Sequence, residues 1–122
     1  MSASRRDSAD AKTLLAEIIV DAGNEDEQLW AFRQWFEERF RDPLHGFMLG
    51  EPVLVSDIRY NGNPRRGLTA RCQKLNGETY EVGLADVELV DGSAAAPSLA
   101  AYRKWLGLDS TRYLAEVYKI RR

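Results

Sequence analysis

Four carboxylates and one carboxamide fall within a seven-residue stretch of the 122-residue chain: Asp21, Asn24, Glu25, Asp26 and Glu27. Hard divalent cations such as calcium take about six to eight oxygen ligands, drawn from carboxylates, amide oxygens and backbone carbonyls. A glycine-containing bend, here with Gly23 inside it, can turn such oxygens toward one point. The residues fit calcium as a cofactor. They equally fit a helix start, where acidic side chains stabilise the positive end of the helix without any ion. Their spacing does not follow the EF-hand loop, which needs alternating acidic positions, a central glycine and a closing glutamate.

A second cluster has the opposite charge. Arg59, Tyr60, Arg65, Arg66 and Arg71, with Lys74 nearby, lie in the segment YNGNPRRGL and on its flanks. Arginines beside an aromatic ring can grip phosphate, stack on a base or meet an acidic protein partner. The plainer reading is a solvated loop that balances the acidic stretch. With 17 basic and 19 acidic residues the formal charge is −2, so no global field favours nucleic acid or an anionic membrane. Any such preference has to arise locally.

Enzyme chemistry has little to work with. His45 is the sole histidine and Cys72 the sole cysteine, and neither a nucleophile elbow nor a phosphate-cradling glycine loop is present. His45, between Pro43 and Gly46, reads as a loop residue. Cys72 reads as a small buried hydrophobe in a strand. One cysteine excludes an intramolecular disulfide and a four-cysteine zinc site, in keeping with a reducing compartment. No apolar run approaches the roughly 20 residues needed to span a bilayer. The expectation is a cytoplasmic, non-enzymatic protein.

The elements that must position these clusters follow from periodicity. The length and an apolar fraction of 44% fit a single domain over residues 1–122. Residues 1–9 are small and polar and read as a flexible arm. Ala11, Leu14, Leu15, Ile18, Ile19 and Ala22 carry helical spacing after Asp10. Asn24 with Glu27 forms a capping-box pattern that opens a second helix, whose buried face is Leu29, Phe32, Phe36 and Phe40 and whose end is set by Pro43. So short a connection predicts an antiparallel helical hairpin over 10–42. Trp30 lies on its flank.

Residues 47–90 are β-rich, with EPVLVSDIRY, RGLTARCQKL, ETYEVGL and VEL as strands. The Asn76-Gly77 pair is a strong hairpin signal, and Leu84-Ala85-Asp86 reads as a single helical turn before the last strand. One long loop, one tight hairpin and one such turn are the order of a small five-stranded Src-homology-3-like barrel. Residues 97–120 read as C-terminal helices, the first opened by Pro97 and the second capped by Ser110. The fold class is therefore α+β.

The segment EIIVDAGNEDEQLWAFRQWFEERF resembles the opening of the cyanobacterial-type calcium-binding proteins, the CcbP family. GEPVLVSDIRY, GETYEVGLADVEL and AAYRKWLGL extend the resemblance from about Leu15 to about Leu108. It implies a helical part joined to a small barrel and calcium buffering or sensing in a bacterial cytosol. Asp21, Glu25, Asp26 and Glu27 occupy the family's acidic stretch. The chain departs from the family at YNGNPRRGL, where Arg65 and Arg66 stand in place of an acidic loop and repel a cation, and at DPLHGFML, which lacks the family's phenylalanine-proline pattern. Two functions therefore stand at this point. One is calcium binding at the bend between the helices, weakened or lost through the basic loop. The other is a non-catalytic barrel module that meets a protein partner or nucleic acid through Arg59, Tyr60, Arg65, Arg66 and Arg71.

Overall fold

The computed structural model describes residues 3–108, with side chains described from residue 11 onward. Among the described residues three helices pack on one five-stranded antiparallel sheet. Helix α1 spans Ala3–Ile18 and turns Ala11, Leu14, Leu15 and Ile18 inward, as their spacing requires. It stops in a turn at residues 19–21, where the Ala22 amide bonds to the Ile19 carbonyl. Helix α2 spans Glu25–Arg39 and buries Leu29, Phe32 and Phe36. It ends as the Phe40 amide bonds back to Phe36, three residues before Pro43. Helix α3 spans Ala96–Trp105, with Pro97 in its first turn and Leu99, Ala101 and Tyr102 buried.

Two indole hydrogen bonds clasp α2 to α3. Trp35 Nε1 donates to Ser98 Oγ at 3.0 Å, and Trp105 Nε1 donates to Gln28 Oε1 at 2.7 Å. The early residue of each helix thus meets the late residue of the other, which makes the pair antiparallel. Between the clasps Phe32 packs edge-on to Tyr102 with centroids 5.3 Å apart. An indole or phenol whose polar end finds a partner can be buried without a desolvation penalty, so these large rings fill the core.

Strands β1 (Leu44–Met48), β2 (Glu51–Arg59), β3 (Thr69–Lys74), β4 (Thr79–Gly83) and β5 (Glu88–Leu89) pair in the order β4-β3-β2-β1-β5. Val53 and Val55 alternate into the core opposite Lys74 and Cys72 of β3, and a bulge follows between Val55 and Asp57. Leu84–Asp86 forms a single 3-10 turn before β5. Gly46 of β1 sits opposite Leu89, and a Cβ placed on it would stand 2.5 Å from the Glu88 carbonyl oxygen. Only glycine lets β5 approach there.

Three differences from the sequence reading have physical causes. First, the sheet is open, with β4 and β5 as its edges and no ladder between them, so the closed Src-homology-3-like barrel is not what the pairing shows. Second, α1 starts at Ala3, inside the segment read as an arm, and its main packing is against α3 and not α2. Helix α1 still touches α2, and the two indole bonds tie α2 to α3 as well. Third, β1 was not anticipated, because Leu44–Met48 holds no β-branched residue; His45 is a strand residue and not a loop residue. The expected helix from Ser110 lies outside the described residues.

Candidate functional site

The acidic stretch forms the bend between α1 and α2, and a reciprocal cap organises it. Asn24 is the N-cap: its side-chain oxygen accepts from the Glu27 amide at 2.9 Å. Glu27 returns the bond by accepting the Gly23 amide on Oε2 at 2.8 Å and the Asn24 Nδ2 on Oε1 at 3.3 Å. Gln28 Nε2 donates to the Ala22 carbonyl at 3.3 Å and ties the bend from the other side. Both oxygens of Glu27 are therefore engaged in holding the helix start.

Asp26 points elsewhere. Its Oδ1 accepts a 2.5 Å hydrogen bond from the Tyr60 hydroxyl, at the end of β2. Tyr60 is only 6% exposed, and its ring meets Trp30 edge-on at 4.9 Å. Burial first, then the bond to Asp26, then the charges of Asp26 and Glu25 push the phenol up to about 12. The buried Tyr60 ring offers no open face for a base to stack on.

Asp21 and Glu25 are exposed and make no hydrogen bond or ion pair with the described residues. Of the predicted ligands the structure thus brings Asn24 and Glu27 together as a cap, commits one oxygen of Asp26 to Tyr60, and leaves Asp21 and Glu25 in water. The donor chemistry suits a hard cation. The arrangement is looser: among the described residues no three His, Cys, Asp or Glu side chains gather into a group that could hold a metal.

The basic loop occupies residues 61–68, directly after Tyr60. Asn61 and Asn63 fold it by accepting the amides of residues 63 and 65 on their side chains, and the amides of Arg66 and Gly67 bond to the Asn63 carbonyl. Arg65, Arg66 and Arg71 are exposed and form no ion pair among the described residues. Arg59 is not available in the same way, since its guanidinium donates to Asp57 at 2.7 Å, and that bond raises its already high pKa. The loop closes where the Leu68 amide donates to the Tyr102 hydroxyl at 2.9 Å, and Gly67, at φ +65°, lies against the same oxygen.

Tyr102 and Gln28 escaped the sequence reading as site-shaping residues. Their partners stand 34 and 77 residues away, and no local pattern marks them. A groove of about 510 Å³ lies between the C-terminal half of α2 and β2, lined by Arg33, Phe36, Phe40, Arg41 and Ile58, and none of the bend residues lines it.

Two solved structures share this fold. The crystal structure of CcbP from Anabaena superposes with a TM-score of 0.64 at 19% identity, covering 77% of this chain and 87% of that one. A calcium-binding protein in its calcium-binding form gives 0.64 and 19% as well, covering 88% of this chain and 96% of that one. The resemblance read from the segments around the bend and the strands is thus met at the level of fold. The sequence matches no family model and no curated protein.

Proposed function

We propose that this chain is a non-catalytic calcium-binding domain that takes its ion at the α1–α2 bend. The observation that carries the reading is the shared fold with a protein solved in its calcium-binding form, over 88% of this chain. The exposed carboxylates of Asp21 and Glu25 and the second oxygen of Asp26 are donors of the right kind, which an ion would have to draw together. Asn24 and Glu27 take the supporting part, since their oxygens hold the helix start. Binding draws exposed side chains together and orders them, which costs conformational entropy. That cost, with few carboxylates free, places the affinity at the weak end of calcium sites, about 10⁻⁴–10⁻³ M. The ion would stabilise the folded state by mass action.

Thermal unfolding in calcium, in magnesium and in chelator tests this reading. A calcium-dependent rise of the midpoint, lost in the Asp21→Asn/Glu25→Gln variant, supports it; an unchanged midpoint at 10 mM calcium overturns it.

A second reading rests on Arg65, Arg66 and Arg71, exposed and without an acidic partner among the described residues. In it the basic loop docks an acidic protein segment or a phosphate backbone, with salt-sensitive affinity. Loss of calcium response together with salt-dependent partner capture that Arg65→Ala/Arg66→Ala abolishes would favour it.

A further inference from the structure

The outer face of the sheet carries apolar side chains that the core does not use. Phe47 of β1 pairs with Pro52 of β2 and His45 with Leu54, so these side chains share the face opposite to Val53 and Val55, which point into the core. Leu54 is half-buried without packing on the core, and Phe47 is 38% exposed. Two hairpin tips extend the patch. Leu49 and Gly50 form the turn that leads directly into β2, while Leu75 follows Lys74, the partner of Val53, which sets the β3–β4 tip level with Pro52. Leu49 and Leu75 are the most exposed large apolar side chains among the described residues, at 82% and 87%. A single exposed leucine needs no explanation, but five apolar residues gathered at one end of a sheet mark a surface that meets another molecule.

Leu49 supplies an independent sign. It opens a two-residue turn in which both φ angles are positive, +53° and +82°, the form that asparagine followed by glycine suits best. A leucine in that conformation strains the backbone, and its exposed side chain returns no burial. Folding gains nothing from it. Strain kept at an exposed apolar position points to a use outside the fold.

The charges around the patch select its partner. Glu51 adjoins the first turn, Glu78 follows the second, and Glu88 of β5 stands opposite Phe47. Glu51 and Glu88 form no ion pair among the described residues, and the Glu78 carboxylate reaches Lys74 at 4.0 Å. Three carboxylates against one ammonium repel an anionic membrane and attract a cationic surface. Strands β1 and β2 are inner strands of the sheet, so recognition here runs through side chains and not through an added strand. An amphipathic helix meets both demands, with an apolar stripe for the leucines and basic side chains on its flanks for the carboxylates.

We infer that this end of the sheet, centred on Phe47, Leu49 and Leu75, docks a basic amphipathic helix of a protein partner. The basic loop lies at the opposite end of β2 and β3 and takes no part. The patch is smaller than a standard protein interface, so the affinity is micromolar.

Fluorescence anisotropy of a labelled amphipathic leucine–lysine helical peptide, titrated with the full chain in chelator, tests it without reliance on the calcium-binding reading. The expected result is micromolar binding that falls about tenfold or more in Leu49→Asn/Leu75→Asn and weakens with salt and in Glu51→Gln/Glu88→Gln. The leucine variant should unfold at or above the wild-type midpoint, which separates a docking role from a structural one. Equal binding by that variant, equal binding of a peptide with glutamate in place of lysine, or no binding at millimolar concentration overturns the inference. A loss of binding in Arg65→Ala/Arg66→Ala overturns the placement of the site. Two further results overturn the occupant: self-association in sedimentation that the leucine variant abolishes assigns the patch to a second copy, and preference for phosphatidylglycerol vesicles over the peptide assigns it to lipid.

Discussion

The hydroxyl of Tyr60 and the carboxylate of Asp26, 34 residues apart in the chain, meet in a 2.5 Å hydrogen bond beneath the partly exposed ring of Trp30. This contact makes neighbours of the acidic bend and the basic loop. It also explains why Tyr60 serves as an anchor: a phenol with its ring in the core and its oxygen on a carboxylate has no freedom left to recruit a ligand.

The capping box predicts its own loss. Asn24→Ala removes the acceptor of the Glu27 amide and the Nδ2 donor to Glu27 Oε1, leaving Glu27 only its bond from the Gly23 amide. Urea unfolding should show a loss of about 0.5–2 kcal/mol, the usual cost of deleting an N-cap. An unchanged unfolding midpoint would mean that tertiary packing alone holds the start of α2.

Leu49 is strained where it stands. It adopts φ +53° in the turn between β1 and β2, and its side chain is 82% exposed, so no burial compensates. Leu49→Asn places a residue tolerant of the left-handed region there and should stabilise the protein by about 1 kcal/mol, read from the same unfolding curves.

Two glycines separate conformational strain from steric collision. Gly67 and Gly77 both have positive φ, but a Cβ at residue 67 would stand 2.5 Å from the Tyr102 hydroxyl oxygen, while one at residue 77 meets nothing within 4 Å. Gly77→Ala should cost about 1 kcal/mol from backbone strain alone. Gly67→Ala should cost more, and combining it with Tyr102→Phe should recover part of the difference, since the clashing oxygen is then gone.

Alkaline pH should weaken the fold in a defined direction. Burial pushes the Cys72 thiol up, and burial likewise raises the Tyr102 phenol against the opposing bond from the Leu68 amide. Each folded pKa lies above its unfolded value, so the associated stability is fully present below the unfolded pKa and is lost as pH rises through the folded one. For Cys72 the decline starts near pH 8.5, roughly the pKa of a free thiol, and for Tyr102 near pH 10. Denaturant midpoints measured between pH 7 and 11 check it. In the native protein at pH 8 a thiol reagent should leave Cys72 unmodified, and in denaturant it should react promptly.

Legibility followed the range of the interactions. The start of α2 was readable because Asn24 and Glu27 are three residues apart and cap each other locally. The hairpin at Asn76-Gly77 and the turn at Leu84–Asp86 were readable for the same reason. Strand β1 was hidden because its justification is remote: Gly46 weakens a strand on its own and makes sense only beside Glu88. The main partner of α1 was not legible because chain proximity points to α2, whereas the larger contact of α1 is with α3, more than 75 residues on. At the site, residue types were legible and their directions were not. Asp26 and Tyr60 were assigned to rival clusters, and their hydrogen bond makes them one.

Anchoring both ends of the segment 61–68 in tyrosine hydroxyls has an evolutionary reading. Insertions, deletions and charge reversals between Asn61 and Arg66 change only bonds local to the loop, while a shift at Tyr60 disturbs its bond to α2 and a shift at Leu68 its bond to α3. Descendants of this sequence can therefore rewrite what the loop recognises at little risk to the scaffold, and diversity among them should concentrate between these two fixed points.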